Sequence, residues 1–487
     1  MFYSGGNGMN GVLETIDNAV WGLPLICLIL IVGVFLTIRL RALQITGLPQ
    51  AIRNVTANEK SGKHGEVSSF GALCTALSAT IGTGNIVGVA TAIVAGGPGA
   101  LFWMWIAALL GTATKYSECL LAVRFRNIAP DGHIVGGPFC YIENGMGRKW
   151  KWLACIFAFF GAAAGLMGIG TSTQTNGITS AVHNFFDPDS LNTIQLFGNS
   201  YSVSVVISAV IITVCAGLVI IGGLQRISKV AELIVPFMAV LYITLALIIL
   251  ISHASAIPGA LAEIIQSAFG MRAASGGALG AMMLAMQKGI ARGIFSNEAG
   301  LGSAPIAAAA AHVDMPAKQG LVSMLGTIID TLIICTMTGL SIIITGTWNI
   351  GLEGVEVSTR AFQLGLPFPS RVASFSLMLC LVFFAFTTIL GWNYYSERCL
   401  DYLTHGNRHA LRIFRWFYLL AVLAGPFMTV SAVWTLADIF NGLMAIPNLI
   451  ALVALSGVTV SETRLYLEKL SVKKKIAHDM NHLKEVS

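Results

Sequence analysis

The chain has 487 residues, 55% hydrophobic and only 11% charged, with 29 Lys and Arg against 23 Asp and Glu. Soluble domains carry roughly 25% charged residues, so this chain lacks the charge to coat a water-facing surface of its size. Its mean hydropathy of +0.76 marks a polytopic membrane protein. The net charge of +6 follows the loops between apolar runs, a membrane pattern that says little about nucleic acid. Nine cysteines stand singly with no C-x-x-C pair, which suggests neither a disulfide framework nor a zinc site.

Residues 1–20 are expected to be extracytoplasmic. The first apolar run, 21–40, has no basic flank before it and no small-residue cleavage site after it. It is therefore expected to be a transmembrane helix and not a cleaved leader, since about 20 residues cross the hydrocarbon. Ten more spans are predicted near 70–96, 99–123, 152–181, 201–222, 230–252, 278–312, 318–346, 371–392, 413–433 and 436–458. Pro258 to Gly270 looks amphipathic and is expected at the interface. Residues 459–487 read as a basic cytoplasmic tail.

Eleven spans put the termini on opposite sides. Arg41, Arg53, Lys60, Lys63, Arg124, Arg126, Arg148, Lys149, Lys151, Arg226, Lys229, Lys318, Arg398, Arg408, Arg412 and Lys473 to Lys475 fall on one side. The other side offers Arg272, Arg360 and Arg371. By the positive-inside rule the N-terminus is outside and the C-terminus cytoplasmic.

Span 2 contains Gly82-Thr83-Gly84-Asn85, followed by Leu110-Gly111-Thr112 in span 3. Span 7 contains Gly300-Leu301-Gly302-Ser303, followed by Leu325-Gly326-Thr327 in span 8. Spans 2 and 7 run in opposite senses. Residues 70–252 and 278–458 thus read as two inverted five-helix repeats, each opening on a broken helix. That arrangement points to a midplane binding site in secondary transporters.

An unpaired backbone N–H or C=O in lipid costs several kcal/mol, so a broken helix survives only where it lines a protein cavity. In span 2, the helix ending near Ala79 to Ile81 offers carbonyls, and the half starting near Gly84 and Asn85 offers N–H groups. A zwitterion and a monovalent cation would use both. Close helix packing through Gly84 and Gly88 is the competing account. In span 7, Gly293, Phe295 and Gly300 are expected to mark the unwound part, with Ser303 and Pro305 as cap and first turn of the second half.

Thr387 and Thr388 of span 9 could give hydroxyl oxygens to sodium, or could bond back to their own helix carbonyls. Gln174 and Asn176 lie in the polar run Thr171 to Asn176, which is expected to face the cavity or a neighbouring helix. Trp392 is read either as a lid over a small substrate or as part of an interfacial aromatic belt. Lys115 and Glu118 read as a pair snorkelling to the cytoplasmic interface. Lys288, Arg292 and Glu298 are expected to form an ion pair holding the second break open, with proton coupling through Glu298 as the alternative. Asp330 has no evident partner. No histidine lies at membrane depth, and neither a G-x-S-x-G elbow nor a P-loop is present, so no catalytic residue is expected.

The stretches SATIGTGNIVGVATAIVAGGPGALFWMW (78–105), GGPFCYIENGMG (136–147), RGIFSNEAGLGSAPIAAAAAH (292–312) and GWNYYSERCLDYL (391–403) resemble the alanine/glycine:cation symporters, also called sodium:alanine symporters. The resemblance runs from span 1 to span 11. It implies an all-α integral membrane protein with a leucine-transporter-like five-plus-five inverted repeat, an extra N-terminal helix and two broken helices. It further implies symport of alanine or glycine with Na+, or in some members protons, in a bacterial cytoplasmic membrane. Neither a cofactor nor an obligate protein partner is expected. Carried over by position, substrate would meet Thr80, Gly82, Thr83, Gly84, Asn85, the span 4 polar residues, the span 7 break and Trp392. Sodium would meet Ala79, Ile81, Thr387 and Thr388.

Overall fold

The computed structural model describes residues 6–56, 65–128, 133–196, 198–271, 277–428 and 430–486, with side chains of 6–10, 14, 23, 430–434 and 473–486 left aside. Lys60, Lys63, Arg272 and the side chains of Lys473 to Lys475 therefore lie outside what is described. The described chain is almost wholly helical, with two short antiparallel strand pairs, Asn127–Ile128 with Ile134–Val135 and Thr193–Leu196 with Asn199–Ser202.

Among the described residues, nine helices are long and apolar enough to cross a membrane, and one bent pair makes a tenth span. They match ten of the eleven expected spans. The segment 278–312 is not among them. Its first helix, Ala278–Asn297, carries Lys288 and Arg292, and its second, Ala304–Ala308, is a single short turn. Pro258 to Gly270 is largely an amphipathic helix, Ile257–Ala268.

Side-chain exposure sorts the spans into layers. Ile31 and Ile38 of span 1, Ile211 and Leu218 of span 5, Leu233 and Val240 of span 6, and Trp416 and Phe417 of span 10 are exposed apolar groups. An apolar surface of this kind suits lipid. Spans 2, 3, 7 and 8 instead form the centre, where nearly every side chain of the span 3 helix beyond Gly111 is buried.

Local chemistry sets the breaks. Ser68 caps the helix Ser69–Thr80 by accepting from Gly71 N at 2.8 Å. Ile81 then turns extended, and the chain resumes as a π turn, Gly84–Gly88, and the helix Val89–Gly96, bent by 52°. In span 7 the helix stops at Asn297. Glu298, Gly300 and Gly302 take φ of 57°, 90° and 83°, a left-handed run that glycine enters without steric cost. Gly293 and Phe295 are thus helical and not unwound: Gly293 allows close approach to Met104, where an added Cβ would lie 3.3 Å from its Cα. Ser303 is not a backbone cap either; its hydroxyl donates to Glu298 Oε2 at 2.5 Å.

A third interruption divides span 4. The helix Lys151–Met167 ends at Gly168, and a new helix, Ser172–Phe186, begins after Thr171. Span 8 is also irregular, with a π stretch Ile328–Cys335 between two α segments.

At the end of the bundle that carries most of the basic loops, the two broken spans are tied together. Val67 pairs with Ala311 in a parallel bridge, Glu66 N donates to Ala310 O at 2.8 Å, and His312 N donates to Val67 O at 2.9 Å. Arg126 donates to the carbonyls of Ala309 and Ala311, both at 2.7 Å. Glu66 also joins an ion cluster: His133 Nδ1 lies 3.3 Å from Oε1 and Arg398 Nη2 lies 3.8 Å from Oε2. His133 and Asp401 both contact Arg398. These residues line an open vestibule of ≈ 890 Å³ together with Glu143, Glu397, Arg408, Arg412 and Arg415.

Burial acts to raise the Glu66 carboxyl, but the His133 contact, the Arg398 charge and the Ile134 amide together hold it below its ordinary 4.5. A carboxylate with a depressed folded value stabilises the fold above its unfolded value, and that contribution disappears as pH falls through the folded one. Glu66→Gln should therefore cost about 1–3 kcal/mol at pH 7. In detergent melting curves the deficit should close on acidification below 4.5; a deficit that persists in acid would contradict the assignment.

Candidate functional site

The two gaps face each other. An added Cβ on Gly84 would lie 3.3 Å from the Phe295 ring and 3.4 Å from Ser296 Cα, so glycine is what lets the spans approach this closely. Gly82 is equally confined, its added Cβ falling 2.5 Å from Thr388 Oγ1 and 3.0 Å from Gln174 Oε1.

The polar backbone of the first gap is not left bare. Gly82 N donates to Asn85 Oδ1 at 2.9 Å, and Thr83 N donates to Gln174 Oε1 at 3.1 Å. Asn85 N donates to Gly82 O at 3.2 Å, Thr388 Oγ1 donates to Ile81 O at 3.2 Å, and Thr338 Oγ1 donates to Asn85 O at 2.8 Å. Side-chain oxygens hold the amides that an anionic ligand would use. Side-chain hydroxyls hold carbonyls that a cation would use.

Gln174 reaches the gap because of the span 4 interruption. Its amide nitrogen donates to Ile169 O at 2.9 Å, a carbonyl freed at that interruption, which aims the oxygen at Thr83. Asn176 is not brought to the gap. It lies about 200° around the helix from Gln174, half-buried, with no side-chain hydrogen bond. Thr80 bonds back to Ala76 and Leu77 carbonyls, and the Thr83 hydroxyl is buried without a partner, its methyl against Gly177.

Thr387 and Thr388 part company. Both bond back to their own helix, at Phe383 or Phe384 carbonyls, but only Thr388 also touches the gap. Thr387 donates to Met238 Sδ at 3.6 Å, away from Ile81. Ala79 sits against Gly391 on span 9, where an added Cβ would come within 2.7 Å.

The link between the gaps is Asp330, for which the sequence offered no partner. Its Oδ1 accepts from Asn85 Nδ2 at 2.7 Å, and its Oδ2 accepts from Ser296 Oγ at 2.8 Å and Thr331 Oγ1 at 2.7 Å. None of the described ion pairs includes it, although it is fully buried. Asn297, beside the second gap, donates to Thr331 Oγ1 at 3.0 Å and accepts from Ala299 N at 2.9 Å. The π stretch of span 8 places Asp330 and Thr331 here, a distortion often found at functional sites. An intramembrane carboxylate was the only signal, and it named no partner.

Trp392 does not sit in an interfacial belt. It is 0% exposed, donates from Nε1 to Glu298 Oε1 at 2.7 Å, and meets Tyr395 edge to face. The expected ion pair across the second gap is replaced by other bonds. Glu298 accepts from Trp392 and Ser303, while Arg292 makes a bidentate pair with Asp438 of span 11 at 2.9 and 3.1 Å. Lys288 is exposed and makes no bond to Glu298. Glu298 itself takes the left-handed conformation that closes its helix and faces span 9, whereas Arg292 lies about a turn and a half earlier and faces span 11.

Lys115 and Glu118 do not snorkel. They are 2% and 0% exposed in the centre of the protein, and they do not pair. Glu118 Oε1 accepts from Asn448 Nδ2 at 2.5 Å, and the same nitrogen donates to Gly300 O at 2.8 Å in the second gap.

A family model described as the sodium:alanine symporter family matches residues 7–480. An uncharacterized transporter of Haemophilus influenzae is 49% identical over 466 residues, covering 95% of this chain and 97% of its own. The sodium/alanine symporter AgcS of Methanococcus maripaludis is 42% identical over 464 residues, covering 94% and 97%. The crystal structure of MhsT in complex with L-phenylalanine has a TM-score of 0.58 at 15% identity, covering 83% of this chain and 93% of its own. That likeness speaks to fold alone, and it gives the helical bundle the leucine-transporter fold. With the family match running through both gaps, the chain is a secondary amino-acid symporter, not an enzyme, and it belongs to the sodium:alanine symporter family.

Proposed function

We propose that the protein carries a small neutral amino acid, alanine or glycine, together with Na+ into the cell by alternating access. The membrane is the bacterial cytoplasmic membrane, with the N-terminus outside and the basic loops inside. The observation that carries the reading is the pair of facing gaps joined through Asp330: a buried carboxylate, in none of the described ion pairs, that accepts from both broken spans.

The substrate carboxylate takes the Thr83 amide from Gln174 Oε1, so Gln174 moves when substrate enters. Phe295 and Gly84, in close contact with each other, bound the side-chain end. Trp392 and Glu298 close the site from the second gap. Sodium prefers hard oxygens, as other hard cations do. The carbonyls of Ala79 and Ile81 with the Thr388 hydroxyl form one seat; Asp330 with the Ser296 and Thr331 hydroxyl oxygens forms a second, where cation charge offsets the carboxylate. Filling either seat orders a gap, and rocking of spans 2, 3, 7 and 8 against the rest then exposes the site to the other face.

Purified protein in proteoliposomes should accumulate alanine under an inward sodium gradient imposed without a pH gradient. Uptake that follows a pH gradient and ignores sodium would replace Na+ with H+ in the reading. Asp330→Asn should lose the sodium stimulation of uptake by tenfold or more, about 1.4 kcal/mol. The two threonines separate in the same assay. Thr388→Ala should raise the sodium concentration for half-maximal uptake several-fold, whereas Thr387→Ala should leave it within about twofold, since its hydroxyl faces Met238. Equal effects of the two would remove Thr388 from the ion seat.

A further inference from the structure

The vestibule at the basic-loop end has no part in the binding sites described above. Asn393, Glu397, Asp401 and His405 of span 9 line it in a single stripe. Spaced four residues apart, they cover about 18 Å of helix. The stripe starts one residue beyond Trp392, which bonds to Glu298 in the second gap. The inner end of the vestibule therefore adjoins the proposed substrate site.

The carboxylates on these walls are already met. Arg415 makes a bidentate bond to Glu397 at 2.5 and 2.7 Å, Tyr402 OH donates to Glu143 at 2.6 Å, and Arg398 lies between Glu66 and Asp401. Asn393 is different. It is 1% exposed, and neither Oδ1 nor Nδ2 has a hydrogen-bond partner among the described residues. A buried polar group left unmet costs about 1–3 kcal/mol, and such a group at a cavity wall calls for a ligand or a water.

A second polar feature of the same vestibule is the turn between spans 5 and 6. Gly222 and Gly223 take φ of −77° and 68°, and the helix Gly223–Ser252 starts there with no side chain capping it. Gly222, Gly223, Leu224 and Gln225 all line the vestibule. The first N–H groups of a helix have no partner within it, and a right-handed residue followed by a left-handed one turns successive amides toward one point. An added Cβ on Gly223 would meet nothing within 4 Å, so the turn stands open. Arg226 folds over Gly222 and donates to Leu218 O at 2.7 Å, which brings a positive charge beside these amides.

The helix start suits a carboxylate. The Asn393 amide offers an acceptor oxygen and two donors, so it can receive an ammonium and give to a carboxylate. A small zwitterion meets both features. An inorganic anion would leave Asn393 Oδ1 unmet, and a bare cation would leave the helix start unmet.

We propose that Asn393 and the Gly222–Gln225 turn form a second seat for the transported amino acid, on the vestibule side of Trp392. The proposal rests on the amino-acid reading above and adds a site to it.

Equilibrium dialysis of labelled alanine against the full-length protein, purified in detergent with sodium present, tests the seat. The wild type should bind two alanines per chain. Asn393→Leu should weaken one of the two by tenfold or more and leave the other. Alaninamide, which lacks the carboxylate, should fail to displace alanine from the seat that Asn393→Leu weakens. One alanine per wild-type chain would overturn the second seat, whether or not Asn393→Leu folds, and would leave the amino-acid reading standing. Two alanines per chain with neither weakened in Asn393→Leu would overturn it as well, as would displacement by alaninamide. No alanine bound at all would overturn the reading and the seat together.

Discussion

Main-chain amides and carbonyls inside a bilayer must find partners, and the centre of this protein is organised by that requirement. Two spans give up their own hydrogen bonds part-way along their length. The freed groups are then met by side chains from other spans: Asn85 and Gln174 at amides, Thr388 and Thr338 at carbonyls, Asn448 at Gly300. Each of these partners is a group that a polar solute or an ion could replace.

Asp330 converts two separate gaps into one unit. Through Asn85 it holds the second half of span 2, and through Ser296 it holds the end of the first helix of span 7. A low dielectric strengthens these bonds and also penalises the charge they surround. Under the proposed function a cation beside Asp330 offsets that penalty, which would join ion binding to the relative placement of the two broken helices. The second gap has its own carboxylate, Glu298, held by span 9 through Trp392. The two gaps are thus held to the scaffold by a few hydrogen bonds.

Much of the plan was legible in the residues. Low charge and long apolar runs specify the membrane class, and Gly82-Thr83-Gly84 with Gly300-Leu301-Gly302 mark both gaps, because glycine is the residue such backbone needs. What escaped was partner choice across spans. Arg292 and Glu298 look paired in one dimension, yet a left-handed turn at Glu298 sends them toward different helices. The polarity of Thr171 to Asn176 was visible, but the interruption at Gly168 that aims Gln174 inward, and leaves Asn176 aside, has no residue signature of its own. The π stretch that carries Asp330 reads as ordinary apolar helix. Lys115 and Glu118 sat near the end of an apolar run, where the interface was the reasonable expectation. Their burial depends on spans 8 and 11 packing over them, and a single span cannot reveal that.

The strand-like bridge between Val67 and Ala311 fastens the feet of the two broken helices to one another. Moving one foot without the other would break these main-chain bonds. That end of the two broken spans is therefore one mechanical piece, not two.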